Sequence, residues 1–125
     1  MEIIYHRRNT IEELILTSKQ YGVEIDIRSD SKDLILHHDP FKKGDLLKDW
    51  LCEYDHGTLI LNVKEEGLED KIINLIDRFR IKNYFFLDQS FPFLFKYSQK
   101  GMKSSAIRVS EFESFNTALN MREKV

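Results

Sequence analysis

Cysteine is almost missing from this chain: Cys52 is the single one in 125 residues. An internal disulfide framework is therefore excluded, and the composition fits a reducing compartment. No apolar run approaches the roughly 20 residues of a membrane span. The first residues, Met1 to Arg8, lack the apolar core of a secretory signal. An excess of one charge is lacking too. Nineteen basic residues face 21 acidic ones, a net charge of −2, so no global basic field points to nucleic acid. There is no low-complexity tract and no break in composition to mark a domain boundary. Length excludes two separate cores, and also a complete eight-stranded α/β barrel, which takes about 250 residues. The 42% hydrophobic and 32% charged content describes a globular rather than a disordered chain. The expectation is one cytoplasmic domain over residues 1–125.

What is present is an alternation of short β-like runs and amphipathic stretches. Ile3-Ile4-Tyr5 is a first extended run. Thr10-Ile11-Glu12-Glu13 follows as a capping box, with Ile11, Leu14 and Ile15 on one helical face. Gly22 stands where a left-handed residue ends such a helix. Val23 to Arg28 alternates strictly, with Val23, Ile25 and Ile27 on one face and Glu24, Asp26 and Arg28 on the other. After the polar turn Asp30–Asp33, the run Leu34 to His38 returns as the second arm of a hairpin, and Asp39-Pro40 ends it.

Asp45 is a candidate cap for a helix carrying Leu46, Leu47, Trp50 and Leu51. Thr58 to Val63 is the next strand. Leu68, Ile72, Leu75, Ile76 and Phe79 form the clearest helical stripe. Tyr84 to Leu87 is a further strand, Phe91 to Lys100 a helix stopped by Gly101, and Ala106 to Val109 a fifth main strand. Ser110-Glu111-Phe112-Glu113 reads as a second capping box, opening a last helix to about Lys124. Main strands thus begin near residues 3, 23, 58, 83 and 105. Repeated β-α units predict a parallel sheet with right-handed crossovers. The aromatic set Phe85, Phe86, Phe91, Phe93, Phe95 and Tyr97 is expected to pack between elements rather than to form a lipid patch.

In parallel α/β folds, ligands bind at the C-terminal ends of the strands. The polar residues there are His6 and Arg7, Glu24 and Asp26, His38 and Asp39, Asn62 and Lys64, Asp88, and Arg108 to Glu111. Glu24 and Asp26 lie on one strand face with Cα atoms about 6.6 to 7 Å apart, close enough to converge on one divalent cation. A solvated strand face is the plain alternative. Two histidines, His6 and His38, are a natural acid–base couple near neutral pH, although each alone is more often a surface or core histidine.

In order along the chain stand His6-Arg7, Asn9-Thr10, Glu24-Ile25-Asp26, His38-Asp39 and Asn62-Val63-Lys64. This set resembles glycerophosphodiester phosphodiesterases, within the phosphatidylinositol-phospholipase-C-like superfamily. The family pattern is His-Arg-Gly, Glu-Asn-Thr, Glu-x-Asp, His-Asp and a carboxylate-x-Lys. The match spans about residues 3 to 64. It implies a TIM-type barrel and hydrolysis of a small glycerol- or sugar-linked phosphodiester in lipid metabolism. It further implies His6 and His38 as the catalytic acid and base, and Arg7 and Lys64 on the substrate phosphate. Glu24, Asp26 and Asn62 would hold Mg²⁺ or Ca²⁺. Three positions depart from the pattern. Arg8 replaces the glycine, no glutamate precedes Asn9, and Asn62 replaces a carboxylate, which implies a weakened metal site.

Other classes remain. One is a non-catalytic phosphate-ligand module or inactive barrel fragment. Another is a doubly wound domain of the receiver or flavodoxin type, which lacks support here. His6 and Asn62-Lys64 stand where a receiver has its acidic pair and phosphorylatable aspartate, and no phosphate-cradling loop follows the first strand. With about five β-α units plus a hairpin, the expected architecture is a partial (β/α) barrel. It would be open, with a bare edge at the fifth strand that a second copy would cover.

Overall fold

A computed structural model describes residues 1–122 and Lys124. The elements are β1 (Ile4–Tyr5), α1 (Ile11–Leu16), β2 (Gly22–Asp30), β3 (Asp33–Leu36), β4 (Asp45–Leu46), α2 (Leu47–Glu53), β5 (Leu59–Val63), α3 (Glu69–Arg78), β6 (Tyr84–Leu87), α4 (Phe91–Gln99) and α5 (Phe115–Met121). The fold is α/β: an open, mixed six-stranded sheet with helices alternating along the chain. β1, β2, β5 and β6 are parallel, and β3 and β4 are an antiparallel extension.

β2 organises the sheet. One edge pairs with β5 from Val23 to Ile27. The other carries β1 at Gly22 and Val23, and β3 from Ile27 to Asp30. Between those two partners the edge is bridged by loops: Arg8 N–H donates to the Glu24 carbonyl, and His37 N–H to the Asp26 carbonyl. The fork between β1 and β3 thus opens at Glu24–Asp26.

Alternation along β2 and β5 sorts the two faces. Val23, Ile25, Ile27, Leu59, Leu61 and Val63 are buried in one cluster with Leu14 of α1, Leu47, Trp50 and Leu51 of α2, and Ile72 and Ile76 of α3. These helices therefore cover one and the same face. The opposite face carries Glu24, Asp26, Ile60 and Asn62, in register across β2 and β5. There Ile60, Phe85 and Leu87 stay half-buried.

The hairpin, the Leu59–Val63 strand, the α3 stripe and the Thr10 capping box follow the expectation. Thr10 Oγ1 accepts from Glu13 N, and Glu13 returns a carboxylate oxygen to Thr10 N. Several local expectations fail. Gly22 is the first residue of β2 rather than a left-handed stop. A Cβ there would lie 2.2 Å from Ile4 Cδ1 and 2.7 Å from the Thr58 carbonyl oxygen, so close packing of β1 on β2 requires the glycine. Gly101, with φ +89°, does end α4 as a left-handed residue. Asp45 belongs to β4 and does not cap α2; its Oδ2 accepts from Ile11 N at 2.7 Å and so caps α1.

The fifth main strand does not form. Residues 104–106 reach β6 through two backbone hydrogen bonds, Phe86 N–H to the Ser104 carbonyl and Ala106 N–H to the Phe86 carbonyl. A single bridge at Ser105 results. Val109 is half exposed, so this run lacks the burial on both faces that sustains a parallel strand. The sheet is open as expected, but its edge is β6. The second capping box is not a helix start either. Ser110 and Glu113 close a turn on each other, and α5 is capped by Ser114. The expected helix to Lys124 ends at Met121, and Glu123 lies outside the described residues. Of the aromatic set, Phe86 and Tyr97 are buried, whereas Phe91 and Phe95 are exposed. Among the described residues no helix is long and apolar enough to cross a membrane.

Candidate functional site at the fork of the sheet

Glu24 and Asp26 are buried on the face opposite the helices. A carboxylate taken out of water needs hydrogen bonds or counter-charges, and three chain segments supply them. The loop after β1 comes first. Arg7 has φ +54°, a left-handed conformation costing an L-residue on the order of 1–2 kcal/mol. That turn aims its N–H at Glu24 Oε2, 2.8 Å away. His6 Nε2 stands 3.6 Å from the same oxygen, and the Arg7 guanidinium 3.9 Å from Asp26 Oδ2. Asn9 clamps Asp26 twice: its Nδ2 donates to Oδ2 at 2.9 Å, and its Oδ1 accepts from the Asp26 N–H at 2.9 Å.

The second segment is the end of β5. Asn62, the register partner of Asp26, donates from Nδ2 to Glu24 Oε1 at 3.0 Å. Lys64 Nζ lies 3.3 Å from Asp26 Oδ1 and 3.8 Å from Asp88 Oδ2. The third segment is the end of β6. Asp88 also takes a left-handed backbone, with φ +60°, and pairs with Arg108. Positive and negative groups thus alternate: Arg7, Asp26, Lys64, Asp88, Arg108. Two of its members, Arg7 at one end and Asp88 next to the other, have left-handed backbones, held by the surrounding contacts.

His38 is not drawn in by its side chain. Its Nδ1 pairs with Asp39 Oδ1 at 3.0 Å and the ring is 40% exposed. Its backbone carbonyl accepts from Arg28 at 2.7 Å, and its neighbour His37 bonds the Asp26 carbonyl. Of the seven residues singled out in the sequence, His6, Arg7, Glu24, Asp26, Asn62 and Lys64 form one contiguous group. His38 stands at its margin.

Two oxygens test whether a divalent cation suits the group. Asn62 Oδ1 is buried and receives no hydrogen bond, an omission costing about 1–3 kcal/mol; Asp26 Oδ1 is buried with the Lys64 ion pair as its contact and no hydrogen bond. Both are the hard donors that Mg²⁺ and Ca²⁺ prefer. The residues fit such an ion, with Asn62 as an uncharged donor and Lys64 as a competing cation at Asp26. Among the described residues no three His, Cys, Asp or Glu side chains gather as a metal-holding group, so the set depends on the Asn62 amide.

Two participants were not singled out by the sequence reading. Asn9 entered it only as part of a motif, yet it holds Asp26 on both sides. Glu69 is buried at the start of α3, takes a 3.3 Å hydrogen bond from Gln89, and leaves Oε2 without a partner. With Lys64 and Asp88 it lines a small cavity of about 140 Å³ beside the group. Nothing in the local sequence distinguishes Glu69 from the neighbouring acids Glu65, Glu66 and Asp70, because its partner Gln89 lies in the loop after β6. Comparison of the chain with family models, with curated proteins and with solved structures gave no match.

Proposed function

We propose that the chain hydrolyses a small phosphodiester, in the manner of the glycerophosphodiester phosphodiesterases that its motifs resemble. The observation that carries this reading is the gathering of His6, Arg7, Asn9, Asn62 and Lys64 around two buried carboxylates of β2, beside the ends of β1 and β5. Arg7 and Lys64 would bind the phosphate oxygens as charge builds on them. His6, held beside Glu24, would exchange a proton on one side of the phosphorus. His38 would serve the other side. Its Nδ1 bond to the Asp39 carboxylate would orient the ring and leave Nε2 free to face the substrate. Glu24, Asp26 and Asn62 would hold one Mg²⁺ or Ca²⁺, which when bound supplies further neutralisation of the phosphoryl oxygens.

The barrel reading belongs to the same proposal. The parallel strands follow in sequential order, β1, β2, β5, β6, once the antiparallel extension is set aside. α1 to α3 cover a single face, as in a barrel wall and unlike a doubly wound sheet. A second copy over the β6 edge would extend such a wall. The runner-up is a phosphate-ligand module without turnover, favoured by the outward-turned His38 and by the Asn62 amide spent on Glu24.

Hydrolysis of glycerophosphodiesters in Mg²⁺, Ca²⁺ and Mn²⁺ separates the two. Product that disappears in His6→Ala and His38→Ala supports the hydrolase. Calorimetric binding with no product in any of the three metals leaves the module.

A further inference from the structure

The helix-covered side of the sheet carries a groove unrelated to the carboxylate group. Its volume is about 330 Å³, within the range of small-molecule sites. Four cations line it: Lys32 from the β2–β3 turn, Lys48 from α2, and Lys71 and Arg78 from α3. One carboxylate, Asp33, stands with them. Among the described residues none of the four cations has an acidic partner within ion-pair distance. In a chain of net charge −2, this is a local reversal of sign.

The groove is amphipathic. On α3, Lys71, Asn74, Leu75 and Arg78 recur at i, i+3, i+4 and i+7, one stripe of the helix, while Ile72 and Ile76 of the same helix are buried in the core. Leu34, Leu46 and Leu75 supply an apolar floor. Leu34 pairs with Ser29 of β2 and belongs to the core cluster, so the floor lies on the opposite face from Glu24 and Asp26. A rim of unpaired cations over an apolar floor suits a ligand with several negative charges on a flat apolar body. Arg78 offers a bidentate fork for phosphate and the lysines point charges. Asn74 offers both a donor and an acceptor for a polar ring edge.

We propose that this groove binds a nucleoside polyphosphate, held through its phosphates by Lys32, Lys48, Lys71 and Arg78 and through its base by the leucine floor. The test is calorimetry of the intact chain at low salt with ATP, inorganic tripolyphosphate and adenosine. The expected result is ATP binding that exceeds tripolyphosphate and falls at least about tenfold in Lys71→Glu/Arg78→Glu. Lys32→Glu/Lys48→Glu, on two other elements, should show a similar fall. A small glycerophosphodiester, the ligand proposed for the carboxylate group, should not displace bound ATP.

No ATP binding in the millimolar range would overturn the proposal, as would ATP that the glycerophosphodiester displaces and that both groove variants still bind. Tripolyphosphate binding as tightly as ATP would remove the role of the floor and with it the nucleoside class. Binding of heparin or single-stranded DNA without binding of ATP would make the groove a face for macromolecular polyanions, against the proposal.

Discussion

The chain up to β6 and the chain beyond it are held together differently. Up to Leu87, each strand is paired on at least one side, and three helices bury a common core. Beyond it, the buried hydrophobic side chains among the described residues are Leu94 and Tyr97 alone, and α5 buries none. Phe112 is 91% exposed and Phe115 64%. Backbone hydrogen bonding alone does not explain the contrast, since residues 104–106 do bond to β6. The difference is side-chain burial: β5 puts Leu59, Leu61 and Val63 into the core, whereas beyond the 104–106 contact Val109 is half exposed. The candidate site lies almost wholly in the first region, and Arg108, through Asp88, links it to the second.

The largest effect should come from Asp26, whose removal leaves Lys64 with the longer Asp88 contact alone and takes the partner from Asn9. Asp26→Ala is expected to cost about 3–5 kcal/mol, the range for breaking a buried charged pair. Urea denaturation measures it, and a cost under ~1 kcal/mol would mean that the carboxylate is not integral to the first region. Leu61→Ala, in the centre of the core, should cost about 2–5 kcal/mol. Phe112→Ala should stay within about 0.5 kcal/mol of the parent. Equal costs would erase the contrast between the regions.

The two helix caps sharpen it. Thr10→Ala removes a capping box from α1 and should lower the global stability by about 1 kcal/mol. Ser114→Ala removes the cap of α5 and should change amide exchange in that helix without moving the global midpoint, because α5 is tied to little else. A smaller effect is set by pH. Burial, with the Glu2 and Asp55 carboxylates nearby, pushes the Tyr54 phenol up to about 12 from 10. The folded chain then keeps a proton that the unfolded chain loses between those values. This contribution is complete below about pH 10 and declines as pH rises toward 12. Tyr54→Phe should flatten that part of the pH–stability curve; an unchanged slope would place the titration elsewhere.

Much of the first region was readable along the chain. The alternation from Val23 to Arg28 and the stripe from Leu68 to Phe79 are local patterns, and each became its expected element. The same reading failed where a partner far along the chain decides the outcome. Asp45 has the chemistry of a helix cap and sits before a helix, yet it caps α1, 34 residues earlier. Gly22 looks like a helix stop until Ile4 and Thr58 close around it. The Ala106–Val109 run has a strand's composition, but only Ala106 bonds to β6 and Val109 is half exposed.

At the site, residue types and order singled out six of the grouped residues. They could not show that Asn9 clamps Asp26, that Glu69 is buried, or that His38 turns to Asp39. Side-chain periodicity is set by backbone geometry within a few residues, so the sequence by itself determined the strongly patterned elements, β2 and α3 among them, and put Glu24 and Asp26 on one face. Which cation meets which carboxylate depends on loop closure between β1, β5 and β6. Only the tertiary structure decided that Arg7, Lys64 and Asn62 converge on the acidic pair, because those contacts join segments that share no local pattern.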